Sequence, residues 1–274
     1  MRAFLISLLC IFSCIANADD VLSADTEKHD FSKVKRLKWS VVSTLDHDKK
    51  RFTQGLAIHD HRLFESTGLY GRSALFETNL KSGEGRQIAQ LLPSLFGEGL
   101  TVWRDRLVML TWREGIAQYF DLNGKAMMQR RFNGEGWGIT TDGSRLIMSD
   151  GTAALSIRDP QTFAEISRIN VRAAGVSIDR LNELEYARQS VFANIWQTDR
   201  IVQINPKNGD VIAWLDLSAL KQRFNKPVNW DAADHVLNGI AYDSKSDRFY
   251  VTGKCWPTMF VLEVDSPETL PAKH

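Results

Sequence analysis

The chain is short of cysteine, has no excess of either charge, and carries no long apolar run after its first residues. Each shortage removes a class of protein. Of the 3 cysteines in 274 residues, Cys10 and Cys14 fall inside the apolar stretch from Ala3 to Ala16. That stretch follows Arg2 and ends in Ala16-Asn17-Ala18, the layout of a secretory signal peptide cleaved before Asp19, and it is too short for a membrane span. The expected organisation is a signal peptide over 1–18, a polar and loose segment over 19–37, and one domain over 38–274, with export to the periplasm or beyond. A chain trimmed in this way keeps only Cys255, forms no internal disulfide, and depends on its core for stability. Its 34 basic and 33 acidic residues become equal once Arg2 is removed (34 − 1 = 33), which gives no electrostatic case for nucleic acid or an anionic membrane as partner.

Metal-binding and phosphate-binding patterns are equally scarce. His59-Asp60-His61 lies where a hairpin turn should join two strands, so it reads as a turn. The glycines Gly134, Gly136 and Gly138 have no helix after them, which removes the basis for a phosphate cradle.

What the chain does contain is a repeat. Gln54-Gly55-Leu56, Glu98-Gly99-Leu100, Trp137-Gly138-Ile139, Asn182-Glu183-Leu184 and Asn238-Gly239-Ile240 share one pattern, and their middle positions 55, 99, 138, 183 and 239 lie 44, 39, 45 and 56 residues apart. A second strand-like run follows each motif, as in Leu63-Phe64-Glu65 and Leu107-Val108-Met109, and a third comes after that, often closed by a turn such as Asn123-Gly124 or Asn208-Gly209. A period of roughly 40 to 50 residues with several short strands per unit predicts an all-β, five-bladed propeller. The fifth unit is one strand short, and Lys38 to Leu45 is a strand without a unit. Pairing the two closes the ring and leaves no terminal edge. The long fourth interval contains Leu217 to Phe224, which reads as a short helical insertion. The motif positions and the ends of the second strands should face one central mouth, which gathers Gln54, Glu65, Trp112, Asn182, Trp196, Asn238 and Lys254.

Several stretches carry a resemblance: FTQG (52–55), FESTGLYGRS (64–73), FGEGLT (96–101), GWGITTDG (136–143), LNELEY (181–186), NIWQTD (194–199), VLNGIAYD (236–243) and TGKCWP (252–257). Together they resemble the plant and bacterial glutaminyl-peptide cyclotransferases, propeller-type enzymes that convert an N-terminal glutamine into pyroglutamate and release ammonia. The resemblance implies peptide or protein substrates beginning with Gln. The reaction needs no metal and no cofactor, because the α-amine attacks the side chain's own amide carbonyl and one proton must reach the departing ammonia. The resemblance places the acid/base on Glu65 and oxyanion stabilisation on Lys254. It gives Asn182 and Gln54 the task of holding the amide and amine, with Phe52, Trp112 and Trp196 as pocket walls. Glu98 is the next carboxylate in line. Trp103, Trp214 and Trp230 read as blade packing, and a closed ring favours a monomer.

Two other readings stay open on the residues alone. One is a non-catalytic exported propeller that binds a protein or glycan. The other is a metal-dependent sugar-lactone hydrolase, against which stand the five repeats and a lysine where a metal would be unwelcome.

Overall fold

The computed structural model describes residues 31–266. The expected signal peptide, and the part of the expected loose segment before residue 31, lie outside them. Five four-stranded antiparallel sheets follow one another along the chain, one for each repeat, as a five-bladed β-propeller. Blade 1 runs from Thr53–His59 through Arg62–Thr67 and Ala74–Asn79 to Gly85–Gln90. In blade 2 the innermost and outermost strands are Gly97–Trp103 and Ala126–Arg131. They are Ile139–Thr141 and Glu165–Asn170 in blade 3, and Leu181–Ala187 and Val211–Asp216 in blade 4.

Composition explains the radial order. Strands near the axis are covered on both faces, so they are apolar without alternation, and Leu107 to Leu110 of the second strand of blade 2 are fully buried. Outer strands have one wet face and alternate, as Ala126–Arg131 does.

Blade 5 contributes Leu237–Asp243, Arg248–Gly253 and Thr258–Val264, and its fourth strand is Trp39–Asp46, which pairs antiparallel with Thr258–Val264. The closing strand is therefore where the repeat count requires it. Residues 31–37 depart from the loose segment expected over 19–37. Phe31 and Leu37 are buried, Phe31 stacks on Trp214 at 5.3 Å, and Lys35–Arg36 adds a parallel strand to the outer edge of blade 4. Apolar anchors at both ends of a polar stretch are enough to dock it.

Deleting everything up to residue 46 removes both edge pairings, and the expected result is aggregation or unfolding on size exclusion and circular dichroism. A soluble and active truncation would contradict ring closure by Trp39–Asp46.

The insertion after blade 4 contains a short 3-10 helix, Ser218–Gln222, pinned by buried Leu217 and Leu220. Asp60 and His61 both have positive φ (46° and 62°), the geometry of a tight hairpin turn, as the sequence suggested for that segment.

The repeated motif is a β-bulge. In blades 1, 2, 4 and 5 the pairing register of the innermost strand slips at the motif, between Thr53 and Gly55, Gly97 and Leu100, Leu181 and Leu184, and Leu237 and Ile240. An extra residue in a strand re-aims its side chain. Here the re-aimed residues include Gln54, Glu98, Asn182 and Asn238. The glycine that follows allows neighbouring blades to touch near the axis: a Cβ on Gly99 would lie 2.6 Å from the Trp137 carbonyl oxygen. In the fourth repeat Glu183 stands at the glycine position. Its buried carboxylate accepts the backbone N–H groups of Leu56 (3.1 Å) and Ile240 (2.8 Å), tying blades 1, 4 and 5 together at the centre.

Candidate active site

The bulges deliver their side chains to a cavity of about 340 Å³ lined by Phe52, Gln54, Glu98, Trp112, Asn182, Trp196 and Lys254, with Leu69, Phe96, Trp137 and Asp234. Its polar floor is buried, with Gln54 and Asn182 at 2% exposure and Glu98 and Lys254 at 6%, while its aromatic walls are half-buried. Six of the seven expected site residues are thus brought together: Gln54, Asn182, Lys254, Phe52, Trp112 and Trp196.

Glu65 is the exception and is corrected here. It does not line this cavity. It lies mid-strand, opposite Leu56 and Phe76, and its side chain meets the segment that joins the closing strand to blade 1. There Oε1 lies 2.9 Å from His47 Nε2 and accepts from Thr53 Oγ1 (2.7 Å), while Oε2 accepts from Arg51 Nη1 (2.8 Å). His47 Nδ1 faces the Trp256 carbonyl at 2.6 Å. Both ring nitrogens therefore point at acceptors, which is the arrangement of an imidazolium. Burial alone would raise the Glu65 pKa, but His47 and Arg51 outweigh it and bring the carboxyl down to about 2. Burial likewise disfavours the His47 cation, yet Glu65 and the Trp256 carbonyl leave its pKa raised. A carboxylate with every oxygen engaged and so low a pKa is a poor proton shuttle. Its contacts with His47, Arg51 and Thr53 tie together the stretch that carries Phe52 and Gln54 into the mouth.

Glu98 has the opposite environment. Burial pushes its carboxyl well above the ordinary carboxylate range, with Lys254 the opposing influence. Among the described residues its one side-chain donor is Gln54, Nε2 to Oε1 at 3.1 Å. The orientation of that amide follows from a chain of contacts. Asn238 Nδ2 donates to the Thr53 carbonyl (3.0 Å), which can only accept, so the Asn238 nitrogen is fixed on that side. The same NH₂ reaches Gln54 Oε1 (3.4 Å), which leaves Gln54 Nε2 to face Glu98. Asn238, placed near the mouth by its motif position, thus sets the donor presented to the pocket carboxylate.

Lys254 is aimed by its turn. Lys254 N bonds to the Val236 carbonyl and Cys255 N to the Arg51 carbonyl, Cys255 takes a φ of 59°, and Gly253 leaves room for the buried Trp256 indole. The ammonium sits 4.7 Å from the Phe52 ring centroid. Burial lowers its pKa, and Glu98 works against that shift. Asn182 Oδ1 is buried and has no hydrogen-bond partner among the described residues, which leaves an acceptor for a donor from the cavity.

The walls are interlocked. Phe96 packs edge-on against Phe52, Tyr70 and Trp112, and Trp137 against Trp196 at 5.5 Å. Glu135 accepts from the indole N–H groups of Trp112 (2.7 Å) and Trp137 (3.0 Å), fixing both rings. Trp103, Trp214 and Trp230 pack within the blades or the insertion, as read from sequence. Phe96, Trp137, Leu69 and Asp234 also line the mouth and are not among the residues expected there. Trp137 stands at the motif's first position, equivalent to Gln54 and Glu98, so the repeat held the signal. Asp234 arrives on the insertion, which has no counterpart in the other repeats. Among the described residues, no three His, Cys, Asp or Glu side chains come together to hold a metal ion.

A mouth with the carboxylates of Glu98 and Asp234, one ammonium, two amides and an aromatic wall suits a small polar group bearing both an amine and a carbonyl. Comparison with known proteins agrees. The profile of the glutamine cyclotransferase family matches residues 11–264. Over 227 residues, 82% of this chain and 70% of the relative, the sequence is 39% identical to a glutaminyl-peptide cyclotransferase of Arabidopsis thaliana. The crystal structure of Myxococcus xanthus glutaminyl cyclase superposes with a TM-score of 0.75 at 31% identity, covering 86% of this chain and 100% of that one.

Proposed function

The chain belongs to the glutamine cyclotransferase family, and from that premise we propose that the mouth cyclises the N-terminal glutamine of a peptide or protein with Glu98 as the acid/base. The observation that carries this assignment is the contrast between the two carboxylates. Glu65 is neutralised by two cations outside the cavity, whereas Glu98 lies in the cavity wall with a raised pKa and a single amide donor.

Glutamine enters with its α-amine and γ-amide turned towards each other by the narrow aromatic walls. The α-amine, whose ordinary pKa of about 7.7 to 8.0 supplies the neutral form near neutral pH, reacts as –NH₂. Its nitrogen bonds to the γ-carbonyl carbon while the Glu98 carboxylate takes one of its two protons. The carbonyl electron pair moves to oxygen, where the Lys254 ammonium stabilises the charge. Collapse breaks the bond to the amide nitrogen. That nitrogen takes the proton held by Glu98 and leaves as ammonia, so the five-membered lactam and one NH₃ account for every atom. Asn182 Oδ1 accepts from the substrate's N–H groups, and the tryptophans exclude the water that would otherwise compete with the amine.

The direct test is ammonia release from a Gln-initiated peptide, with the same peptide acetylated at its α-amine as control. Release from the first and none from the second is expected. Binding of the peptide without ammonia release would favour the non-catalytic propeller instead.

Lys254→Ala should lower kcat by about 10²-fold, the scale of losing one oxyanion donor, with the fold retained. It should also move the acid limb of the pH profile. Lys254 opposes the burial that raises the Glu98 pKa, so its removal lets that pKa climb, and the active carboxylate is lost at a higher pH than in the wild type. Near-wild-type turnover with an unmoved acid limb would return Lys254 to the role of a loop lysine. The reading is completed by an exported, monomeric enzyme whose residues 1–18 are removed, which the mass of the secreted protein checks.

A further inference from the structure

Next to the mouth lies a second cavity of about 270 Å³ that shares Phe52 and Leu69 with it as a common wall. Its lining is unlike that of the mouth. It includes Lys50, Arg51 and Arg72, with Asp48 the only carboxylate, and backbone is bared at Gly68 and Gly71. The Arg51 guanidinium is turned inward to Glu65 and lies over the Phe76 ring at 4.1 Å. Lys50 and Arg72 are exposed, and among the described residues no carboxylate lies within ion-pair distance of either. Asp48 is occupied by the turn it caps, accepting from the Lys50 N–H at 3.0 Å.

The dividing wall is held in an unusual conformation. Leu69 has a φ of 80°, a region where a leucine is strained by about 1–3 kcal/mol, and such residues persist where the surroundings over-determine them. Here the Leu69 carbonyl accepts from Arg72 N and Ser73 Oγ, and Gly71 N bonds to the Pro93 carbonyl. These contacts fix the Leu69 side chain between the two cavities and place Arg72 at the lip of the second.

A peptide whose first residue is sunk in the mouth must lead its chain out past these walls. The second cavity is contiguous with the mouth, open to solvent, wide enough for one or two residues, and edged by unpaired positive charge. We infer that it is the subsite for the residues that follow the terminal glutamine, and that it selects substrates with acidic side chains there. The inference rests on the cyclisation reading above. It adds a specificity to that reading, because nothing in the chemistry of ring closure requires any particular second or third residue.

The experiment compares kcat/KM for three peptides that differ only at positions two to four after Gln, carrying Asp/Glu, Ala or Lys. It is run at low and at high salt, on the wild type and on a Lys50→Glu/Arg72→Glu variant. Both substituted positions are exposed and stand apart from the reacting groups. Glutamine amide, which has no downstream residues, is the reference substrate. The wild type should prefer the acidic over the basic peptide by about tenfold at low salt, mainly through KM, and the preference should shrink as salt screens the charges. The variant should lose or invert the preference while turning over glutamine amide as the wild type does. Equal kcat/KM for all three peptides, or a preference that survives the double substitution, would overturn the subsite. Turnover of glutamine amide reports on cyclisation by itself, so a failed preference with that turnover intact counts against the subsite alone. Loss of turnover on every substrate would instead strike the cyclisation reading.

Discussion

Glu98→Gln should bind a Gln-initiated peptide and fail to turn it over, with kcat reduced by about 10²- to 10⁴-fold, the range for removing a general acid/base. The substitution keeps the size of the side chain and its hydrogen bond with Gln54, and it adds no charge to a buried floor. What it removes is the ability to take a proton from the α-amine and return it to the departing nitrogen. Binding of peptide by calorimetry and ammonia release, measured on one preparation, separate these effects. In the wild type the acid limb of kcat/KM should lie above the ordinary carboxylate pKa of about 4.3, because burial raises the Glu98 pKa and the base form disappears as pH falls through that raised value. A turnover close to wild type in Glu98→Gln would remove Glu98 from the chemistry.

Glu65→Ala should cost stability on a comparable scale. It leaves the buried His47 and the part-buried Arg51 as cations without their counter-charge and Thr53 without its acceptor, and breaking such a cluster from one side typically destabilises by about 3–5 kcal/mol. For a domain of this size that corresponds to a fall in Tm of roughly 6–20 °C. The pH dependence follows from the two shifts. Glu65 has a depressed folded pKa, so its contribution is complete above its unfolded value near 4.5 and is lost as pH falls towards about 2. His47 has a raised folded pKa, so its contribution is complete below 6.5 and is lost as pH rises through the raised value. The cluster therefore stabilises most between roughly pH 4.5 and 6.5. The difference in Tm between wild type and Glu65→Ala should be largest in that window and shrink at strongly acid pH, as thermal melts across pH would show. A difference independent of pH would mean that Glu65 contributes packing alone.

The fold was legible because a propeller repeats its solution. Five motifs at intervals of 39 to 56 residues exposed the blades, and an unassigned strand beside a three-stranded unit exposed the closure. The parallel pairing of Lys35–Arg36 left no such trace, since a two-residue strand has no periodicity and its anchors, Phe31 and Leu37, are single apolar residues in a polar stretch. At the site, most of the pocket followed from the motifs, and the choice between two carboxylates did not. An acidic residue among apolar neighbours, as in Leu63-Phe64-Glu65, signals burial but not what neutralises it. The neutralising groups, His47 and Arg51, lie 18 and 14 positions earlier in a segment without a motif. The repeat did hold a clue, because Glu98 occupies the motif position of Gln54, Asn182 and Asn238. The bulge that turns this position into the mouth shows only in the pairing register.

Proton transfer is assigned to Glu98 in the mouth and not to Glu65 in its cluster with His47 and Arg51. The most direct test is ammonia release from one Gln-initiated peptide by Glu98→Gln and Glu65→Gln side by side, normalised to folded protein. Turnover lost by about 10²-fold or more in Glu98→Gln, and kept within about tenfold of wild type in Glu65→Gln, is the predicted result. The reverse pattern, with Glu98→Gln active and Glu65→Gln inert although folded, would contradict it.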